Sequence, residues 1–263
     1  MKESFLKSSY NLTGYQVPNW SFCPFYESLL YTAGGVLVSG ATGSGKSVVL
    51  NGILLSILGK YKPFITGAKD ECALFLCDPK RVEFRRYMTI PHVVRYASDE
   101  ESIFNVIDAV IDIMNKRYEA MENAGIVEWD GSKVFLFIDE IGHLMITRRK
   151  EFLPRLTDLL FLGRAAGIVT FCATQSPSRK TIPAEVQLNC TAKVCLKCDT
   201  AIESRQVCGV AGGESLPRHG LAIVKTQDGI TKEVIPNCTL EQSKQAIEEI
   251  MKITRANVNP RKW

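Results

Sequence analysis

The chain has 263 residues, 46% of them apolar, and its 32 basic and 28 acidic side chains leave a net charge of +4. This length and composition predict one large domain with a substantial core. The small net charge does not by itself indicate nucleic-acid binding, so any site for a polyanion has to be local.

The cysteine content and the apolar runs bear on the compartment. Nine cysteines are too sparse for a disulfide scaffold in a chain of this length, and no signal peptide opens the sequence. No run reaches the roughly 18 apolar residues that are needed to cross a bilayer. We therefore expect a cytoplasmic chain with reduced thiols and no membrane segment of its own.

From residue 36 onward, strand and helix patterns alternate along the chain. The preceding residues, 1–35, mix aromatic side chains with prolines, which predicts an extended lead-in that packs on the core. The predicted strands cover residues 36–38, 73–77, 134–138, 168–173 and 192–196; the predicted helices cover 48–58, 98 to about 123, 151–162 and 239 to about 253; and a hairpin joins 221–225 to 230–235. The long helix is expected to start with a capping box at Ser98–Glu101 and to stop at Gly125. Strands separated by helices predict a doubly wound, mostly parallel sheet.

One segment matches the phosphate-binding pattern G-x-x-x-x-G-K-[ST]. It joins a predicted strand to a predicted helix, as this loop requires. The segment and the first residue after it are Gly40, Ala41, Thr42, Gly43, Ser44, Gly45, Lys46, Ser47 and Val48. Glycines let successive N–H groups point at one phosphate, Lys46 would reach the β- and γ-phosphates, and Ser47 would ligate Mg²⁺. The alternative is a glycine-rich turn without a ligand.

Two acidic residues, Asp139 and Glu140, follow the apolar run 134–138. The carboxyl ends of parallel strands form the edge at which such sheets bind ligands. This is the pattern of a Walker B site, in which Asp139 holds Mg²⁺ and Glu140 accepts a proton from the attacking water. Gln175 follows the next predicted strand and could hydrogen-bond the γ-phosphate. Two surface acids and an ordinary loop glutamine are the open alternatives.

These features together predict an ATPase that uses ATP and Mg²⁺. The expected fold is α/β, a RecA-like P-loop NTPase whose doubly wound, mostly parallel sheet is flanked by helices and followed by a C-terminal β-hairpin and helix. Such sites often need an extra positive charge, which a neighbouring subunit can supply. Arg164 is the candidate, and the alternative is a helix-end arginine paired with a local acid.

Six ordered segments resemble the motor domain of the FtsK/SpoIIIE family of DNA translocases, within the wider HerA-FtsK superfamily of P-loop ATPases. They are residues 40–47, 77–84, 137–145, 163–168, 173–178, and 203–205 with 212–214. The phosphate loop alone would name only a superfamily, whereas Asp78-Pro79-Lys80 and the segment 163–168 narrow the resemblance to this family. Ser176 and the stretch His219-Gly220-Leu221 depart from the family pattern, which weakens any transfer of substrate contacts.

The resemblance implies a homo-oligomeric ring, expected to be a hexamer, with ATP sites between subunits and DNA in a central pore. Arg164 matches the family position for the trans-acting arginine. The expected division is a lead-in over 1–35, a motor domain over 36–238, and a C-terminal helix with a basic tail over 239–263. Membrane segments and a winged-helix module of the larger translocases are missing from this sequence. We therefore expect a role in conjugation, plasmid or phage DNA handling, with a membrane-bound or relaxase-type partner.

Two short basic runs are candidates for contacts with DNA phosphates that do not read sequence. They comprise Arg148, Arg149 and Lys150 after the Walker B segment, and Arg179 and Lys180 after Gln175. Solvated surface patches are the alternative interpretation.

The cysteines at positions 190, 195, 198 and 208 include one C-x-x-C pair, but the flanking cysteines are single. Zinc sites need paired ligands at both ends, so we expect free buried thiols.

Two further function classes remain open. A type VII secretion-like ATPase that moves protein shares these motifs. A nucleotide-gated assembly factor would bind ATP and hydrolyse little of it. The sequence does not decide between single- and double-stranded DNA as the track.

Overall fold

The computed structural model describes residues 24–31 and 34–257, the side chains of 254–257 excepted. The helices in this part of the chain are α1 (Pro24–Tyr31), α2 (Lys46–Leu58), α3 (Glu100–Ala124), α4 (Ile141–Thr147), α5 (Arg149–Leu162), α6 (Ala184–Asn189), α7 (Ala201–Cys208) and α8 (Leu240–Asn257). The strands are β1 (Gly35–Ser39), β2 (Lys62–Pro63), β3 (Glu71–Cys77), β4 (Val93–Ala97), β5 (Lys133–Ile138), β6 (Ile168–Thr174), β7 (Ala192–Cys195), β8 (Leu221–Thr226) and β9 (Gly229–Val234).

All nine strands of the described chain form one sheet, in the order β2-β3-β5-β6-β1-β7-β8-β9, with β4 pairing with β3 on the same side as β2. Every pair from β2 to β7 is parallel, whereas β8 and β9 add an antiparallel hairpin at the far edge. The predicted α/β fold with a mostly parallel sheet is confirmed. β1 lies between β6 and β7, so the residues after β1 stand at the centre of the carboxyl edge.

Both faces of the sheet are covered by helices. In β5, Val134, Leu136 and Ile138 face a core that includes residues of α3, α4 and α5. Phe135 and Phe137 face the opposite core, which contains residues of α1, α2 and α8. Because successive side chains of a strand alternate between faces, a strand buried on both sides is an uninterrupted apolar run.

The structure corrects part of the element prediction. Residues 24–31 form helix α1, which packs on α2, instead of an extended segment; the rest of the lead-in lies outside the described residues, except for 34 and 35. Helix α3 is capped by Asp99 with Ser102, so the capping box lies one residue later than predicted, while Gly125 ends the helix as expected. Strands β2 and β4 and helices α4, α6 and α7 were not predicted.

Candidate functional site

The phosphate loop lies between β1 and α2, at the centre of the carboxyl edge of the sheet. Gly43 and Gly45 have φ of 75° and 98°, a left-handed backbone that glycine adopts without strain. Gly45 is the N-cap of α2 and makes no side-chain capping bond. The Ala41 N–H donates to the Lys197 carbonyl at 2.8 Å, which ties the loop to the segment after β7. The loop therefore presents the N-terminus of a helix as an anion site.

Lys46 and Asp139 form a buried ion pair across the two motifs. Lys46 Nζ lies 2.6 Å from Asp139 Oδ1, and the two side chains are 6% and 1% exposed. The ammonium also donates to the main-chain oxygen of Asp139 at 3.0 Å. Burial raises the pKa of the Asp139 carboxyl above its ordinary value, although the charge of Lys46 acts in the opposite direction. The lysine is thus held beside the loop by a carboxylate that has lost most of its water.

The oxygens around Asp139 suit a divalent cation. Asp139 Oδ2 is buried and has no hydrogen-bond partner among the described residues. Ser47 Oγ donates to Glu83 Oε1, and the charge of Glu83 contributes to the raised pKa of Asp139. Mg²⁺ prefers carboxylate and hydroxyl oxygens, and it is held in phosphate-binding sites by one or two protein ligands together with phosphates. Ser47 and Asp139 therefore fit a Mg²⁺ ion beside the phosphate loop.

Glu140 is held in place by four hydrogen-bond donors. Its Oε1 accepts from Thr174 Oγ1 at 2.8 Å and from the Gly142 N–H at 3.2 Å. Its Oε2 accepts from the Gln175 N–H at 3.3 Å and from Lys80 Nζ at 3.2 Å. The carboxylate is 12% exposed, whereas Lys80 is 42% exposed. A carboxylate oriented by β6 and by the loop after β3 can act as a general base for a water at the sheet edge.

Gln175 links the loop to the neighbouring strand. Its Oε1 accepts a hydrogen bond from Thr42 Oγ1 at 3.2 Å. Because its own N–H donates to Glu140, Gln175 contacts both the phosphate loop and the candidate base. Lys46, the Asp139–Glu140 pair and Gln175, which belong to three separate segments of the sequence, thus meet at one edge.

A cavity of about 390 Å³ adjoins the phosphate loop on the side of β7 and β8, away from Glu140 and Gln175. It is lined by Ser44, Gly45, Val48, Leu196, His219, Gly220, Ile235 and Asn237. Most of this lining is apolar, with the exposed side chains of His219 and Asn237 at the rim. A planar heterocycle attached to a phosphate chain fits such a surface.

Arg164 lies at the opposite edge of the sheet. It is exposed and packs beside Gly34, which precedes β1, whereas the phosphate loop follows β1. The five residues of β1 at about 3.3 Å each separate the two edges by about 17 Å. Arg164 therefore does not reach the phosphate loop of its own chain.

The two basic runs meet on one surface. Arg149 Nη1 donates to the Lys180 carbonyl at 2.9 Å, and Lys150 and Arg179 are exposed beside them. Arg148 differs, because it is paired with Glu101 and Glu151 at 2.8 and 2.7 Å and stacks on Phe104. Its charge is already neutralised within the chain, which leaves the other four residues as the stronger candidates for phosphate contacts.

The sequence did not single out several residues that the fold brings to the site. Asn237, Leu196 and Ile235 line the cavity, and Arg218 lies against Gly43. These residues come from loops and strand ends far along the chain, and their local sequence carries no motif. The four cysteines lie buried around β7 and α7; no group of three His, Cys, Asp or Glu able to hold a metal occurs among the described residues.

Two kinds of comparison agree with this geometry. Residues 1–133 match the FtsK/SpoIIIE family. The DNA translocase FtsK of Sporosarcina ureae is 28% identical over 256 residues, which cover 85% of this chain and 32% of that protein. The DNA translocase SpoIIIE of Bacillus subtilis (strain 168) is 30% identical over 205 residues, 70% of this chain and 25% of that protein. The chain thus spans a third or less of the length of these relatives.

Solved structures share the fold. The pCW3 conjugation coupling protein TcpA, in its monomer form with ATPγS, has a TM-score of 0.69 at 21% identity, covering 85% of this chain and 66% of that one. The cytoplasmic domain of the type VII secretion ATPase EccC of Thermomonospora curvata has a TM-score of 0.65 at 18% identity, covering 82% and 28%.

A phosphate loop on the central strand, a buried Lys–Asp pair and a carboxylate on the next strand but one define a P-loop ATPase. The match over the first half of the sequence identifies its group: the chain belongs to the FtsK/SpoIIIE family. Within the described residues, none of the helices is both long enough and apolar enough to cross a membrane.

Proposed function

We propose that this chain is the motor of an ATP-driven DNA translocase. The observation that carries the proposal is the arrangement at the sheet edge, where Glu140 is oriented by Thr174 at 2.8 Å beside the buried Lys46–Asp139 pair. A chain that only binds nucleotide has no need for an oriented carboxylate at this point. The family membership supports DNA as the polymer that is moved.

The nucleotide would bind with its phosphates on the loop 40–47 and its base in the adjoining cavity. The loop N–H groups and the N-terminus of α2 would hold the phosphates. Lys46 would exchange its bond with Asp139 for the β- and γ-phosphates. Val48, Leu196 and Ile235 would pack on the base, and the amide of Asn237 would reach its polar edge.

Ser47 and Asp139 would hold Mg²⁺ in the loaded site. When bound, the ion neutralises charge on the β- and γ-phosphates. Ser47 would then turn from Glu83 to the ion. Glu83, which accepts the Ser47 hydrogen bond in this structure, would be able to accept one from a water molecule bound to the ion instead.

Hydrolysis requires Glu140 to take a proton from the attacking water. Lys80 is the donor to Glu140 that is most exposed, so this ion pair is the one that a water or a neighbouring subunit displaces first. Thr174 keeps the carboxylate aimed at the site. Gln175, bonded to Thr42, would sense the γ-phosphate and pass the nucleotide state to β6.

Completion of the site would come from a second copy of the chain. Arg164 lies too far from its own loop, which supports a role for it as a trans-acting arginine in a homo-oligomeric ring, expected to be a hexamer. Arg149, Lys150, Arg179 and Lys180 would contact DNA phosphates in the pore, with Arg148 contributing less.

The cellular context follows from the same proposal. We expect a cytoplasmic motor that handles DNA in conjugation, or in plasmid or phage transfer, together with a membrane-bound or relaxase-type partner. Residues 36–238 would form the motor domain, preceded by the lead-in 1–35 and followed by the helix and basic tail of 239–263.

Protein export is the second candidate, because the fold is also that of the type VII secretion ATPase EccC. An assembly factor that binds ATP without turning it over is the third. The test is steady-state ATP hydrolysis with Mg²⁺ and single-stranded DNA, double-stranded DNA or a secretion-signal peptide, with particle size measured on a sizing column. Stimulation several-fold by DNA supports the proposal.

Stimulation by the peptide alone would replace DNA transport with protein export. A Glu140→Gln protein that behaves as wild type would support the assembly factor. Lys232→Ala, an exposed change on β9, serves as the matched control that should leave hydrolysis unchanged.

A further inference from the structure

Arg218 lies directly on the phosphate loop of its own chain. A Cβ added to Gly43 would lie 2.9 Å from Arg218 Nη2, 3.4 Å from Nε and 3.5 Å from Cζ. The Nε–Nη2 edge of the guanidinium therefore rests against the main chain at Gly43. A side chain longer than that of glycine at position 43 would displace it.

The loop that carries Arg218 is anchored at both ends. Leu216 is buried, and its N–H donates to the Gly213 carbonyl at 3.3 Å. On the other side, the Gly220 carbonyl accepts a hydrogen bond from the Ile235 N–H at 2.9 Å. The neighbours of Arg218 in this loop, His219 and Gly220, line the cavity beside the phosphate loop. The fold thus holds the arginine over the mouth of the nucleotide site.

The charge of Arg218 is not neutralised within the described part of the chain. The side chain is exposed, and it has no ion pair or hydrogen bond to a described residue. A guanidinium has five N–H donors and remains charged at any ordinary pH. It faces a loop whose own N–H groups and helix N-terminus also carry positive partial charge. An anion bound at the loop would interact favourably with both positive groups at once.

We infer that Arg218 donates hydrogen bonds to oxygens of the phosphate chain of the bound nucleotide, acting in the same subunit that supplies the loop. The inference rests on the proposed nucleotide site and assigns it a further ligand-binding residue. Arg218 would then bind the phosphates in its own subunit, whereas Arg164 would contribute to the nucleotide site of a neighbouring subunit.

The experiment titrates the full chain with ATPγS or ADP, each with Mg²⁺, by isothermal calorimetry. Arg218→Ala is expected to weaken both affinities roughly tenfold to a hundredfold, as for the loss of a charged hydrogen bond. Arg218→Gln, which keeps much of the volume, should weaken them to the same degree. Arg218→Lys should recover part of the loss, and Lys232→Ala should bind as wild type. Because Arg218 is exposed, unchanged thermal unfolding of each variant is expected.

The outcomes separate this inference from the proposed function. Binding by Arg218→Ala or Arg218→Gln that equals wild type overturns the inference while the nucleotide site stands. Absence of binding by wild type overturns the nucleotide site itself. Absence of DNA-stimulated hydrolysis with normal binding overturns DNA transport and leaves the role of Arg218 intact.

Discussion

Removing Lys46 should destabilise the nucleotide-free protein as well as abolish ATP binding. In Lys46→Met, the Oδ1 of Asp139 loses a donor at 2.6 Å and its main-chain oxygen loses one at 3.0 Å. The carboxylate is 1% exposed, so water does not replace the ammonium. Breaking a buried pair from one side costs about 3–5 kcal/mol of unfolding free energy.

The pH dependence of this loss has a definite sign. Burial already raises the pKa of Asp139, and loss of the lysine removes the charge that opposes this rise. A carboxyl whose folded pKa exceeds its unfolded value stabilises the fold fully below the unfolded pKa and loses that contribution as pH rises. The difference in unfolding free energy between wild type and Lys46→Met should therefore be large at neutral pH and should become smaller as the pH falls.

Urea unfolding without nucleotide, at neutral and mildly acidic pH, measures this difference. The double variant Lys46→Met/Asp139→Asn should be more stable than Lys46→Met by about 2 kcal/mol, because no charge is left buried. Lys80→Met, which breaks the exposed pair with Glu140, is the matched control and should cost less than about 1 kcal/mol. If Lys46→Met matched this control and the double variant gained nothing, the buried-charge reasoning would be refuted.

Three other changes test separate parts of the structure. Glu140→Gln should lower ATP hydrolysis by at least about a hundredfold, because a base is lost, while ATPγS affinity measured by calorimetry changes little; comparable turnover would remove Glu140 from the chemistry. Gly52→Ala would place a Cβ 2.1 Å from Cζ of Tyr26, so we expect a loss of about 1–3 kcal/mol in urea unfolding, which exceeds the gain in helix propensity; a stabilised variant would contradict this packing of α1 on α2. Burial lowers the pKa of His92 to about 4. Below about pH 6.5 the unfolded chain therefore binds more protons at this residue than the folded chain does. As a result, His92 lowers the unfolding free energy by about 2 kcal/mol between pH 7 and pH 5. The unfolding free energy of His92→Gln should fall by about 2 kcal/mol less than that of wild type over the same pH interval. Equal decreases in the two proteins would rule out His92 as the cause.

Sequence patterns located the elements that are buried on both faces. The runs 134–138 and 168–173 were predictable because a central parallel strand has no polar side, and the phosphate loop fixed the position of β1 and α2. Strand β2 has two residues, and α6 and α7 have six and eight, which is too short for a hydrophobic period to appear. Helix α1 differs from the predicted extended segment because Pro24 stands at the first helical position, where proline is tolerated and does not break the helix.

The candidate site was predictable only where a motif carried it. Lys46, Asp139 and Glu140 each follow or precede a recognisable strand, so their meeting at one edge follows from parallel topology. Lys80 contacts Glu140, and Arg218 contacts Gly43, through loops whose paths depend on the tertiary fold. No local pattern distinguishes Arg218 from an ordinary surface charge. The Asp78-Pro79-Lys80 segment marks the family, but it does not indicate the contact of Lys80 with Glu140.

The most direct test of the account is the ATP-dependent displacement of streptavidin from the end of biotinylated DNA, with single- and double-stranded tracks assayed separately. Wild type is predicted to displace streptavidin from at least one track with ATP and Mg²⁺, and Glu140→Gln to displace none. Wild type that hydrolyses ATP in the presence of DNA but leaves streptavidin in place on both tracks would contradict the claim that this motor moves DNA.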